Sequence, residues 1–387
     1  MKRLLLTTVF VSLLAAGCGS PGGSGNSPTP GSAASRPPSS ASSAQAAPPT
    51  TSAVPPRTGC EPVIAGMSPR ERVAQLVVVG VEPSDPAAAA ALVREEQVGG
   101  IFIGGNATDL LTDNALARVQ EAAKVPVSVA VDDEGGRVQR LDQLEGDLPS
   151  AREMARTMTP EQVRALAEER GRAMLARGVT VDYAPDADLT DEDAGAAIGD
   201  RSFSADPAVA REYALAFAAG LTDAGVRPVL KHFPGHGRAS GDSHTGLVRT
   251  PPLADLREHD LLPFEDIAQY GDISVMVGHL DVPGLTEGQP ASLSPAAYQL
   301  LRNDYAFEGV TVTDDLGAMK AISDRYSVPE AVLRALQAGA DQALWSSGGD
   351  VAPVLDRLEQ AVAGGELPGE RVEDALERVL RSKNACG

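Results

Sequence analysis

The chain has 387 residues, more than one average domain but within reach of a single barrel of alternating strands and helices, which commonly takes about 250 residues or more. Its 33 Lys and Arg stand against 53 Asp and Glu, a formal charge of −20 with no long basic run in the body. A phosphate backbone would be repelled, which excludes nucleic acid as a partner.

The first residues, Met1-Lys-Arg, lead into an apolar run from Leu4 to Ala16 and then Gly17-Cys18. A positive start, a short hydrophobic stretch and small residues at the end make an export signal, and the run is too short for a comfortable membrane span. Leu14-Ala-Ala-Gly-Cys18 resembles the lipobox of bacterial lipoproteins. Residues 1–18 are therefore expected to be a lipoprotein signal peptide, with lipidation at Cys18 anchoring the exported protein to the cell membrane. Cleavage by the ordinary signal peptidase is the second reading. From 19 to 59 the sequence is almost entirely Ser, Pro, Gly, Ala and Thr, a composition that cannot bury enough apolar surface to offset ordering, and it reads as a tether. Once Cys18 is assigned to lipid, Cys60 and Cys386 remain at the two edges of the body, 60–387. In an exported protein that pair is a disulfide candidate, with two free thiols as the alternative.

Within the body, short apolar runs alternate with amphipathic segments. Eight runs read as strands: Leu76 to Val81, Gly100 to Ile103, Pro126 to Val131, Val179 to Tyr183, Arg227 to Leu230, Ser274 to Val277, Gly309 to Val312 and Gln342 to Trp345. Helix starts lie between them at Thr159-Pro, Asp206-Pro, Ser294-Pro, Ser327-Val-Pro and Asp350, and Gly225 marks a stop. Eight such units predict an α/β fold of the (β/α)8 TIM-type barrel class with a single catalytic domain, an open doubly wound sheet being the runner-up. In such a barrel the catalytic groups sit at the C-terminal strand ends. The polar clusters fall there: Asp132 to Arg137 after the third run, Asp186 and Asp188 after the fourth, Lys231-His232 after the fifth, His279 after the sixth and Asp314-Asp315 after the seventh.

One of Asp314 and Asp315 should face the mouth and act as a nucleophile, although an Asp there also suits a helix cap. Beyond the fifth strand, Asp242-Ser-His244 places a carboxylate two residues from an imidazole, which suits proton transfer; an ordinary polar loop is the alternative. Asp132, Arg137, Lys231 and Arg201 would offer charge and hydrogen bonds to a ligand rich in hydroxyls. His232 and His236 are four residues apart, a spacing that chelates a metal only on a helix. Pro234-Gly235 between them makes a helix improbable, so no metal is expected.

Four segments, Lys231-His-Phe-Pro-Gly-His-Gly237 with Asp242-Ser-His244, Val131-Asp-Asp-Glu-Gly-Gly-Arg-Val-Gln-Arg140, Ile198-Gly-Asp-Arg-Ser-Phe203 and Val312-Thr-Asp-Asp-Leu316, resemble glycoside hydrolase family 3, and within it the bacterial β-N-acetylglucosaminidases. The resemblance spans roughly 61 to 380 and implies a (β/α)8 barrel. It implies Asp314 as nucleophile and His244 with Asp242 as an acid/base pair on a mobile loop, its closure permitted by Gly235, Gly237 and Gly241. It further implies that Asp132, Arg140, Arg201, Lys231, His232 and His279 hold the sugar. Asp133 stands where the family often has glutamine, and Thr313 where it often has serine. Only about two helices follow Trp345, which favours an N-acetylglucosaminidase over the larger β-glucosidases of the family. The expected protein is a retaining exo-β-N-acetylglucosaminidase with no cofactor, a monomer facing the cell wall, acting on an N-acetylglucosamine-containing saccharide such as a muropeptide. An inactive cell-wall-binding lipoprotein, a β-N-acetylglucosaminide phosphorylase using phosphate as acceptor and a β-glucosidase of the same family are the alternatives.

Overall fold

The structure, a computed structural model, describes residues 59–386. The described residues form ten strands: β1 Val77–Val81, β2 Gly100–Ile103, β3 Ser128–Val131, β4 Val181–Asp182, β5 Arg227–Phe233, β6 Val248–Arg249, β7 Ser274–Val277, β8 Leu280–Asp281, β9 Thr311–Thr313 and β10 Ala343–Trp345. Eight of them make one parallel sheet in the order β10-β1-β2-β3-β4-β5-β7-β9. A parallel bridge from Val312 to Gln342, with the Thr313 amide donating to the Gln342 carbonyl, brings β9 back to β10 and closes the ring. The fold is a (β/α)8 barrel, and each run read as a strand coincides with a barrel strand. Two differences stand out. β5 carries on through Lys231, His232 and Phe233, so the first two of these lie within the strand rather than just past its end. The ribbon of β6 with β8 was not anticipated; two residues per strand carry no periodic signal.

The strands are near-continuous apolar runs because both of their faces are covered. One face points into the barrel, where Val78, Phe102, Ala130, Tyr183, Val229, Met276, Val312 and Leu344 meet, one from each unit of the ring. The other face, including Val77, Val79, Ile101, Ile103, Val129 and Val131, packs beneath the helices. Each such side chain contributes about 1.5–3 kcal/mol by leaving water. The helix Pro160–Arg177 opens on a capping box between Thr159 and Gln162. Pro207–Ala224 opens on Asp206, whose carboxylate accepts the amides of Ala208 and Val209, and closes at Gly225 in the left-handed conformation (φ 87°). Ser294 and Ser327 precede helices without capping them through their side chains; proline in the first turn starts those helices instead.

Cys60 and Cys386 are joined in a disulfide with Cα atoms 4.7 Å apart, tying the start of the described body to its end. At this N-terminal end of the barrel, Lys383 donates to the Gly99 carbonyl and, at 2.9 Å, to Gln75 Oε1; burial pulls its amine down to about 7. Nearby in the fold Asp341, fully buried just before β10, receives Arg302 at 2.6 Å, Arg371 at 3.0 Å and Arg378 at 3.2 Å. The expected signal peptide, Cys18 and nearly all of the tether lie outside the described residues. No helix among the described residues is long and apolar enough to cross a membrane.

Candidate active site

A cavity of about 620 Å³ opens at the C-terminal mouth of the barrel. Its floor includes Phe102, Tyr183, Met276 and Leu344 from the layer inside the barrel, with Phe102 and Tyr183 stacked at 5.6 Å between ring centroids. Asp314, just past β9, lines it. Burial alone would neutralise this carboxyl, but His279, His232 and the Asp315 amide, which donates to Oδ1 at 2.9 Å, hold it down at about 2. It is therefore an ionised carboxylate, and no lysine or arginine among the described residues is bonded to it. Asp315 has the other task foreseen for the pair. It accepts the amides of Gly317 and Ser346 and the Ser346 hydroxyl, fixing the turn beyond the strand while its edge still touches the cavity.

Lys231, from the last part of β5, reaches Asp132 at 3.0 Å and Glu134 at 2.5 Å. Glu134 also receives Arg201 through two bonds of 2.7 Å. Burial raises the Glu134 carboxyl, but Arg201 and Lys231 outweigh it and drive the group below the usual carboxylate range; in return Asp132 and Glu134 keep Lys231 firmly protonated against its burial. Arg140 completes the cradle, 3.9 Å from Asp132. Strand pleating divides the triplet after β3: Asp132 and Glu134 face the cavity, whereas Asp133 turns back, accepts the amides of Arg140 and Leu141 and meets the buried Arg170 at 3.3 Å. Glu134 has no role assigned from sequence; its spacing of two from Asp132 is the signal that points to it.

His232 lines the cavity with its ring held from below by Asp188, 2.6 Å from Nδ1. Burial pulls this imidazole down to about 4, so it is neutral at ordinary pH. Asp186, Asp188 and His232 offer three ligand atoms within 4.8 Å of one another, the one cluster of metal-ligating type among the described residues. Arg201 Nη2 already lies 3.5 Å from Asp186 Oδ2 and 3.5 Å from His232 Nε2, so the position next to the cluster belongs to a guanidinium, and a divalent ion would meet its repulsion. His232 and His236 do not converge on one point either: the first bonds Asp188 and the second bonds Ser243 Oγ at 3.1 Å.

Asp242, Ser243 and His244 also line the cavity. His244 Nδ1 is 2.7 Å from Asp242 Oδ1, which accepts the His244 amide as well, leaving Nε2 as the free ring nitrogen. Burial raises the Asp242 carboxyl, but its bonds from His244 bring it below the ordinary value.

Several expectations need correction. His279 does not reach the cavity. It is fully buried, with Nδ1 2.7 Å from Ser292 Oγ and Nε2 2.8 Å from the Asp315 carbonyl, so it acts beneath the Asp314-Asp315 turn rather than on a ligand. Arg137 donates to the carbonyls of Ala196, Ala197 and Ile198 and braces the loop that carries Arg201. Gly235 and Gly237 are not free hinges: a Cβ at Gly235 would stand 2.6 Å from Asp260 Cβ, and one at Gly237 would stand 2.2 Å from the Leu189 carbonyl oxygen. Gly241 has room, its nearest neighbour being Val248 at 3.6 Å.

An ionised carboxylate in the cavity, cations beside it and a histidine presenting a free nitrogen are groups that a glycoside hydrolase can use, and the comparisons with known proteins give that class. The particular family follows from comparison: residues 68–382 match the family described as glycosyl hydrolase family 3 N terminal domain, and the chain belongs to that family. It is 53% identical over 331 residues to beta-hexosaminidase LpqI of Mycobacterium tuberculosis, covering 83% of this chain and 85% of that protein. A solved glycosyl hydrolase of the same family from Mycobacterium smegmatis superposes with a TM-score of 0.80 at 55% identity, over 82% of this chain and 98% of the other. The family 3 β-N-acetylglucosaminidase of a Paenibacillus species does so with a TM-score of 0.76 at 30% identity, over 82% of this chain and 62% of the other.

Proposed function

We propose that the protein is a retaining exo-β-N-acetylglucosaminidase that removes terminal N-acetylglucosamine from cell-wall fragments such as muropeptides. The single observation that carries this reading is the meeting of Asp314, the Asp242–His244 pair and the Lys231, Arg201, Asp132 and Glu134 cradle on one cavity. Asp314 attacks the anomeric carbon and forms a glycosyl ester while His244 Nε2 protonates the departing oxygen. His244 then takes a proton from water as the ester is cleaved. Asp242 orients the imidazole and stabilises its charged form. Lys231, Arg201, Arg140, His232 and Asp132 bind the ring hydroxyls. The apolar floor stops the sugar end-on, which suits cleavage of a terminal unit. The names of the relatives, beta-hexosaminidase and β-N-acetylglucosaminidase, point to the same activity.

Residues 1–18 as a lipoprotein signal, Cys18 as the lipidated residue and 19–59 as a tether would place this body, as a monomer, outside the cell membrane and facing the wall. The Cys60–Cys386 disulfide agrees with an oxidising compartment.

The deciding measurement is nitrophenol release from para-nitrophenyl N-acetyl-β-glucosaminide, with and without phosphate. The native protein is expected to turn over at a rate indifferent to phosphate, and Asp314→Asn to lose about four orders of magnitude in kcat. Binding of wall fragments without any release would instead support the inactive wall-binding reading, and a sugar phosphate product the phosphorylase.

A further inference from the structure

Between Arg238 and Leu247 the loop that bears Asp242 and His244 is exposed or half-buried at every residue but one. The exception is Ser243, only 2% exposed, lying between the two groups that handle the proton. Its hydroxyl is 3.1 Å from His236 Nε2, and His236 is itself 95% buried. His236 lies three residues past β5, before the exposed stretch begins; its amide donates to Asp188 Oδ1, and the same carboxylate holds His232 through the other oxygen. Gly235 and Gly237 on either side lie close against the body, with no room for a side chain between them and Asp260 or the Leu189 carbonyl. On the far side of the loop the Ser243 carbonyl accepts the Ala321 amide at 3.2 Å and the His244 carbonyl accepts the Lys320 amide at 3.4 Å.

From this arrangement we infer that Ser243 and His236 are positioning residues: the buried hydroxyl is a peg seated on His236, and that seat sets where His244 Nε2 lies relative to the bond being cleaved. Proton transfer tolerates little displacement, and a shift of about 1 Å costs about a hundredfold. A short side chain at 243 matters because the peg must enter the body while both neighbours remain at the surface of the cavity. Asp188 then has two duties: one oxygen orients a sugar-binding imidazole and the other fixes the base of the seat, so the ring site and the proton-transfer site share one buried carboxylate. The inference rests on the acid/base role proposed for His244.

Leaving-group dependence tests it. Ser243→Ala, His236→Gln, the double variant and His244→Ala are compared with the native protein on an aryl N-acetyl-β-glucosaminide, whose phenolate departs with little protonation, and on the methyl glycoside, which needs a proton. For Ser243→Ala the expected result is a fall in kcat/KM, which reports the glycosylation step, of about tenfold to a hundredfold on the methyl glycoside and of less than about threefold on the aryl substrate; hydrolysis of the ester, which His244 serves as base, is common to both and shows in kcat. The double variant should be no worse than the poorer single one, because one contact is lost in each case. Equal loss on both substrates, a change confined to KM, or additive losses in the double variant would overturn the seat. If His244→Ala shows the leaving-group effect and Ser243→Ala does not, the seat fails alone. If His244→Ala shows none, the acid/base reading fails and the seat with it.

Discussion

The two ends of the barrel bury charge in opposite ways. At the N-terminal end Asp341 is surrounded by Arg302, Arg371 and Arg378, and both of its oxygens are used. At the catalytic end buried acids outnumber their partners: Asp186 and Asp188 lie side by side, and Asp186 Oδ2 makes no hydrogen bond. Burial, followed by the charge of Asp188, pushes the Asp186 carboxyl well above its ordinary value. The lesson is that the same residue type serves cohesion at one end and reactivity at the other. What distinguishes them is whether the surroundings complete the charge or leave it incomplete.

One substitution made at both ends should therefore change stability in opposite directions. Asp341→Asn leaves three arginines facing a neutral group and should cost about 3–5 kcal/mol in denaturant unfolding, with kcat/KM of the folded protein within about twofold of native. A stability loss below about 1 kcal/mol would break the comparison. Asp186→Asn should stabilise by about 1–3 kcal/mol at neutral pH, because it removes a carboxylate whose charge the site disfavours. The sign carries a pH signature. A raised pKa in the folded state means that the acid's favourable contribution is complete below about pH 4 and is lost as pH rises through the folded value, so the advantage of Asn should be absent in acid and grow towards neutrality. An advantage that instead shrinks from acid to neutral pH would show Arg201 to be a full partner.

The smallest effect belongs to Lys383. Its amine, lowered to about 7 by burial, gives up its proton in the folded state while the unfolded chain keeps one up to about pH 10.4, so stability should rise with pH across that window. Lys383→Met should add about 1–2 kcal/mol at pH 7 and little at pH 10, as read from thermal midpoints at the two pH values. A gain equal at both would mean that the hydrogen bonds to Gln75 and Gly99 satisfy the charged amine.

Much of this was legible in the sequence, for physical reasons that differ from residue to residue. The eight apolar runs were visible because a parallel barrel buries both faces of each strand, so burial writes itself as uninterrupted Val, Ile and Leu. Lys231, His232 and Asp314 were visible because each directly follows such a run. His279 follows one too and was misread: its contacts, Ser292 and the Asp315 carbonyl, lie 13 and 36 residues away, and no local pattern tells a ring that points under a turn from one that points over it. Ser243 was passed over between two residues of more evident chemistry. Its distinction is burial, which only the folded loop reveals. Asp133 shows the converse: its neighbours Asp132 and Glu134 face the cavity, and strand alternation alone sends it to Arg170.

The Cys60–Cys386 bridge has a further consequence. With the bridge formed, the body is covalently a ring, with strand-and-helix units following one another around it as the strands follow one another around the barrel. A protease that nicks any one surface loop then opens the ring without releasing a fragment, and the pieces stay within reach of each other to close again. Durability is built into the connectivity of the chain as well as into its packing.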